Sequence, residues 1–280
     1  MIGLSAGLNL GVGTAGAVLI ESFEAVGIPA GWTLSTGGIG GSSAAVTNVA
    51  PTEGSRFGFI DTRGTTDTTG LTPGTGETVG TMLTSTGFAV LAGEVLRLDL
   101  NFLTNNGSVG FEDFALVRLL DSSTSSVVAT LYNAYNRTGN AAAGDPAVPC
   151  TFPGNVGCLA EGISAGVTLT PGTAFMSGLA TGAIGGPATG TTGGATGVTY
   201  GPTNLDGDPA GFTGWVTSSY IPGAGTYKLF FAVTHVGDMT VDTALAIDNI
   251  RTEPVPEPGS LLLIGFGMAG LAAWRRRKKA

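Results

Sequence analysis

Apolar residues recur at every second position through much of this chain. Leu96, Leu98, Leu100 and Phe102 alternate with Arg97, Asp99 and Asn101. Leu229, Phe231 and Val233 share one face of the run from Tyr227 to Val236. Val241, Leu245 and Ile247 share one face of the run from Thr240 to Ile250. A period of two is the signature of a strand with one buried face. Two further runs, Phe111 to Leu120 and Val127 to Tyr132, are apolar at successive positions. Strands covered on both faces read this way. Gly, Pro, Asn and Asp punctuate the runs, and before the last twenty-five residues no long stretch carries helical periodicity with caps. Many short strands joined by Gly-rich turns predict an all-β body, a sandwich or a barrel.

Only the C-terminus breaks this pattern. Residues 261–274 form an apolar run without a polar face, followed by Arg275, Arg276, Arg277, Lys278 and Lys279. As a helix the run rises roughly 21 Å at 1.5 Å per residue. That falls short of the ~30 Å hydrocarbon layer. The basic side chains can snorkel at the interface and extend it. A single C-terminal transmembrane helix with a cytoplasmic basic stop is therefore expected, and the preceding chain lies on the opposite side of the membrane.

Composition sharpens the compartment. Residues 1–274 hold seven Lys and Arg against twenty Asp and Glu, a net charge of −13. An acidic body argues against nucleic acid as a partner. Cys150 and Cys158 bracket a turn-forming stretch. In an exported protein they are expected to pair as a disulfide, with two free thiols or half a metal site as the alternatives. Residues 1–20 are apolar and small, with Ala15-Gly16-Ala17 as a cleavage box, so they are expected to form a signal segment. No Lys or Arg occurs before Arg56, so that signal is degenerate or truncated. The expected layout is a signal at 1–20, a β-sandwich at 21–252 and a sorting tail at 253–280. Gly/Thr-rich stretches at 61–80 and 178–203 are expected to be surface loops.

The tail carries a specific resemblance. Pro256-Glu257-Pro258, the apolar run and the Arg-rich end stand in the order and spacing of a processed sorting signal. They resemble the PEP-CTERM sorting domain of Gram-negative bacteria over residues 254–279. The resemblance implies recognition by an exosortase, a membrane-embedded cysteine transpeptidase or protease. It also implies transient residence in the inner membrane, removal of the tail, and delivery to the cell surface or the exopolysaccharide matrix. Pro256, Glu257 and Pro258 are then a substrate motif.

A second resemblance covers the two ends of the body. Glu21-Ser22-Phe23-Glu24 with Ile28-Pro29-Ala30-Gly31-Trp32 looks like the opening of carbohydrate-binding-module-like and adhesin-like jelly rolls. Ala246-Ile247-Asp248-Asn249-Ile250 looks like their closing strand. The resemblance implies a jelly roll with adjacent first and last strands, a structural calcium held by Glu24 and Asp248, and exopolysaccharide as a ligand of the body. Read without it, both acids are solvated groups at strand ends.

Catalytic patterns are weak. Gly162-Ile163-Ser164-Ala165-Gly166 fits a nucleophile elbow, with Asp206 or Asp208 and then His235 in hydrolase order. The same pattern recurs at Gly3–Gly7 in a chain with 48 Gly, and no strand–helix alternation surrounds Ser164. Gly11–Gly16 fits a dinucleotide fingerprint, but no βαβ unit follows. His235 is the only histidine and is expected to be packed. Glu112, Asp113, Asp206, Asp208 and Asp242 offer carboxylates without a spacing that selects a pair. Trp215, Tyr220 and Tyr227 are either core or a sugar-stacking platform. The chain thus reads as a non-enzymatic exported protein, with an extracellular hydrolase of polysaccharide or ester substrates as the alternative.

Overall fold

The computed structural model describes residues 17–25, 27–35, 41–42, 50–62, 66–71, 76–104, 113–135, 140–143, 162–171, 175–177, 191–192, 198–199, 211–237 and 243–255. Among them every regular element is a strand, and every pairing is antiparallel. One sheet holds β1 (Val18–Glu21), β3 (Gly41–Ser42), β4 (Gly58–Asp61), β8 (Glu94–Thr104), β12 (Thr168–Thr170), β16 (Gly211–Phe212), β17 (Val216–Tyr220) and β19 (Thr243–Pro254). The other holds β2 (Thr33–Leu34), β5 (Thr66–Asp67), β6 (Glu77–Thr84), β7 (Phe88–Val90), β9 (Phe114–Asp121), β10 (Val127–Tyr135), β11 (Asn140–Ala143), β13 (Phe175–Ser177) and β18 (Gly225–Val236). β14 (Thr191–Thr192) and β15 (Val198–Thr199) pair separately.

Eight of these strands build the frame. The first sheet orders them β17-β8-β19-β4 and the second β10-β9-β18-β6. Along the chain, only the β9–β10 hairpin keeps both its strands in one sheet; every other step between consecutive frame strands changes sheet. The first described strand, β1, pairs with the last, β19, through Val18↔Thr252 and Leu19↔Arg251.

The alternating runs of the sequence supply the core. Leu96, Leu98, Leu100 and Phe102 on β8 are buried and join Val117, Leu119, Leu229, Phe231 and Val233 of the facing sheet in one cluster. The opening residues close it from the side. Phe23 meets Trp32 edge-on at 5.5 Å, and Trp32 stacks on Phe231 at 6.0 Å. Residues 114–117 of β9 are buried on both faces, as the apolar run predicts, with Leu116 and Phe114 packed outward against Val236 and Leu71. Val127 and Val128 at the start of β10 are exposed, against the same expectation.

Two further expectations change. Asp99 and Asn101, which alternate with the core residues of β8, are also buried. Thr217 donates to Asp99 at 2.6 Å, Asn249 donates to it at 3.1 Å, and Thr213 covers Asn101. β8 is a central strand, and its outer-face polar side chains are bonded by side chains of the flanking strands β17 and β19 and by Thr213. The Thr/Gly-rich stretch 61–80 is not simply a surface loop. β5 lies in it, β6 starts there, and Thr68 is buried with its hydroxyl bonded to that of Thr234. β1 begins at Val18, within the stretch assigned to the signal. Among the described residues no helix is long and apolar enough to cross a membrane; the apolar run 261–274 lies outside them.

Candidate functional site

Glu24 follows β1, and Asp248 sits on β19 beside the bulge at Asn249, whose φ is 50°. Both carboxylates close on one segment, residues 50–56. Asp248 Oδ2 accepts from the amides of Thr52 (2.7 Å) and Glu53 (3.1 Å) and from the Thr52 hydroxyl (2.9 Å). Its Oδ1 accepts from the Asn249 amide at 2.8 Å. Glu24 accepts from the Ser55 amide through both oxygens, from the Ser55 hydroxyl at 2.9 Å and from the Arg56 amide at 3.3 Å. Trp215 holds the start of the segment, its indole N–H donating to the Ala50 carbonyl at 2.6 Å.

The electrostatics follow from these partners. The Ser55 hydroxyl, reinforced by backbone amides, holds the Glu24 carboxyl below its ordinary value. Burial pushes Asp248 above its ordinary value, against the pull of the Glu53 and Thr52 donors. The two acids that the jelly-roll resemblance assigns to calcium are thus brought to one segment. All four of their oxygens face N–H or O–H donors. Calcium needs six to eight oxygens with lone pairs turned inward. The donor set here forms a hydrogen-bonded clasp on the 50–56 segment. Among the described residues no group of three or more acidic, His or Cys side chains gathers at one point. The sequence singled out both acids but not their common target. Only Gly54, with φ 62°, marks the turn they grip.

His235 and Ser164 are not brought together. Ser164 lies against β10: its amide donates to the Thr130 carbonyl at 3.0 Å, and its hydroxyl accepts from the Thr130 amide at 2.8 Å. Thr130 pairs with Arg118, and Arg118 with Phe230. His235 lies five residues further along β18, roughly 16 Å away at ~3.3 Å per residue. Its partner is Asp113: Nδ1 stands 3.2 Å from Asp113 Oδ2. Asp113 also accepts from the Thr243 hydroxyl at 2.8 Å and the Val236 amide at 3.2 Å. All of these side chains are buried. Burial pushes the Asp113 carboxyl upward, with hydrogen bonds from His235, Thr243 and Val236 pulling the other way. The node ties β9, β18 and β19 together below the surface. No sequence pattern announced it, because its members stand 122 and 130 positions from Asp113.

The aromatic candidates are also engaged. Trp215 packs edge-on against Phe57 at 5.6 Å, Tyr220 packs on the core, and buried Tyr227 donates to the Gly223 carbonyl. Glu112, Asp206, Asp208, Asp242, Cys150, Cys158, Pro256–Pro258 and Arg275–Lys279 lie outside the described residues.

What the structure does place is the point where the tail departs. β19 runs to Pro254, which pairs with Glu94 at the start of β8. The Val255 amide donates to the Gly93 carbonyl at 3.0 Å. Glu253 lies 2.9 Å from Arg97 and also pairs with Arg251. Sandwich order therefore persists to the residue before Pro256. Residues 254–278 match the family model described as the PEP-CTERM protein-sorting motif. The motif supports an exported, exosortase-sorted protein and implies a membrane-anchored precursor processed to the cell surface. No curated protein and no solved structure matches the chain.

Proposed function

We propose that this chain is a non-enzymatic surface or matrix protein of a Gram-negative bacterium. In this reading a jelly-roll body is held at the inner membrane by residues 261–279 until an exosortase acts at Pro256–Pro258. The sorting motif, starting at the last residue of the last strand, carries the proposal. The strand order β17-β8-β19-β4 against β10-β9-β18-β6 supports a jelly roll, since two such four-stranded sheets with a chain that keeps crossing between them are its arrangement. Separation of Ser164 from His235, and burial of the His235–Asp113 pair, favour a binding or structural role over hydrolysis. Exopolysaccharide is the proposed ligand of the body, resting on the jelly-roll resemblance and the exported destination.

The deciding experiment is intact-mass analysis of the protein from its native host, beside a variant carrying Pro256→Ala, Glu257→Ala and Pro258→Ala. The wild type is expected to lack the apolar run and the basic end, and the variant to retain them. Retention of Ala280 in both would reduce the tail to a plain anchor and overturn exosortase processing.

A further inference from the structure

We infer that the pole of the sandwich from which the tail departs is a membrane-apposed surface that rests on the bilayer while the precursor is anchored. This rests on the reading that residues 261–279 hold the precursor in the membrane. The strand directions define the pole. β19 ends there, β8 and β1 begin beside it, and the short links 91–93 and 221–224 carry the chain between sheets at the same end.

The apolar residues exposed on the described surface collect at this pole. Leu91 is 65% exposed in one link and Ile221 55% in the other. Val255 is exposed at the exit of the tail, and Val18 and Leu19 are exposed on β1 beside it. The first two residues of β10, next to the neighbouring hairpin turn, are exposed as well. Ile28 is the one large exposed hydrophobe described elsewhere. Soluble proteins scatter such residues, and a cluster of them marks a contact surface.

Three features select a lipid surface as the occupant. First, only residues 256–260 separate the pole from the apolar run. Five residues reach at most ~18 Å when fully extended, so an anchored body cannot move its pole far from the headgroups. Second, the charges at the exit are matched within the fold, Glu253 with Arg97 and Arg251, while Glu94 turns its carboxylate onto the Leu91 amide at 2.8 Å. Third, residues 1–274 are strongly acidic as a whole, so apolar contact with zwitterionic lipid, rather than attraction to anionic lipid, is the interaction this surface can make.

The test uses the full chain reconstituted in phosphatidylcholine vesicles that contain an apolar photoactivatable carbene reagent. Labelled peptides are mapped by mass spectrometry. Label is expected in residues 261–274 and in the peptides carrying Leu91, Ile221 and Val255, well above that carrying Ile28. A Leu91→Ser/Ile221→Ser variant should lose the label at the pole and keep it in the tail. A labelled tail with the pole at the level of Ile28 would overturn the apposed surface and leave the anchor standing. An unlabelled tail would overturn both. Joining of copies through the pole by a separate bifunctional cross-linker, with no lipid label there, would make it a self-association surface and overturn the inference. Unchanged pole labelling in the variant would overturn it too.

Discussion

Gly54 shows how much of the 50–56 segment depends on one position. Its φ of 62° is left-handed, and a Cβ there would run into the Glu24 carboxylate. Gly54→Ala should therefore lower stability by about 1–3 kcal/mol, since both the backbone and the clasp must give. Urea denaturation of the full chain would measure it. The same clasp makes a statement about calcium. An ion bound at a hundredfold its Kd adds about 2.7 kcal/mol, several degrees of Tm in a domain of this size. With every oxygen of Glu24 and Asp248 already facing a donor, melting curves in calcium and in a chelator should coincide. A rise with calcium would restore a cation to this place. Asp121 supplies the pH dependence. Hydrogen bonds from the Ser123 hydroxyl, then from Thr124 and the Ser123 amide, hold its carboxyl down at about 2, below the ordinary 3.8. A depressed folded value means stability that is present above the ordinary value and lost as pH falls through about 2. Asp121→Asn should flatten the acid limb of stability between pH 4 and pH 2, read as the urea midpoint against pH.

At the scale of elements, β8 and β18 were plain in the alternation of Leu and Phe, because burial of one face demands that period. The outer face of β8 was not. Nothing in Asp99 or Asn101 says that Thr217, Asn249 and Thr213 will cover them from 112 to 150 positions away. β6 was masked by composition. Its Gly80 lies where a Cβ would strike the Val233 carbonyl of the neighbouring strand, so a residue that reads as loop is a requirement of close strand approach. The Asp113 node is the joint between elements. Asp113→Ala should cost about 3–5 kcal/mol by leaving His235, Thr243 and the Val236 amide without their acceptor in a buried place. Asp113→Asn, which keeps an acceptor, should cost clearly less. Equal losses in chemical denaturation would show that shape rather than hydrogen bonding holds the joint.

For the molecule as a whole, delivery and binding separate. The motif at 254–278 speaks to delivery; the body carries the proposed affinity for polysaccharide. Co-sedimentation of the mature protein with its host's own exopolysaccharide should pull a substantial fraction into the pellet, and do so equally with calcium or chelator. Protein that stays in the supernatant under both conditions would leave the body a structural filler of the matrix.

The sequence by itself determined the sorting tail, the all-β class and most of the core strands. Each is written in a contiguous stretch: a short motif followed by an apolar run, or a period of two. It also singled out Glu24 and Asp248, because each lies in a short recognisable segment. Their shared target, the separation of Ser164 from His235, the Asp113 node and the apolar pole were decided by tertiary structure alone. Each depends on which distant strands become neighbours, and a sandwich whose chain keeps crossing between sheets settles that through the collective packing of both sheets rather than through any local pattern.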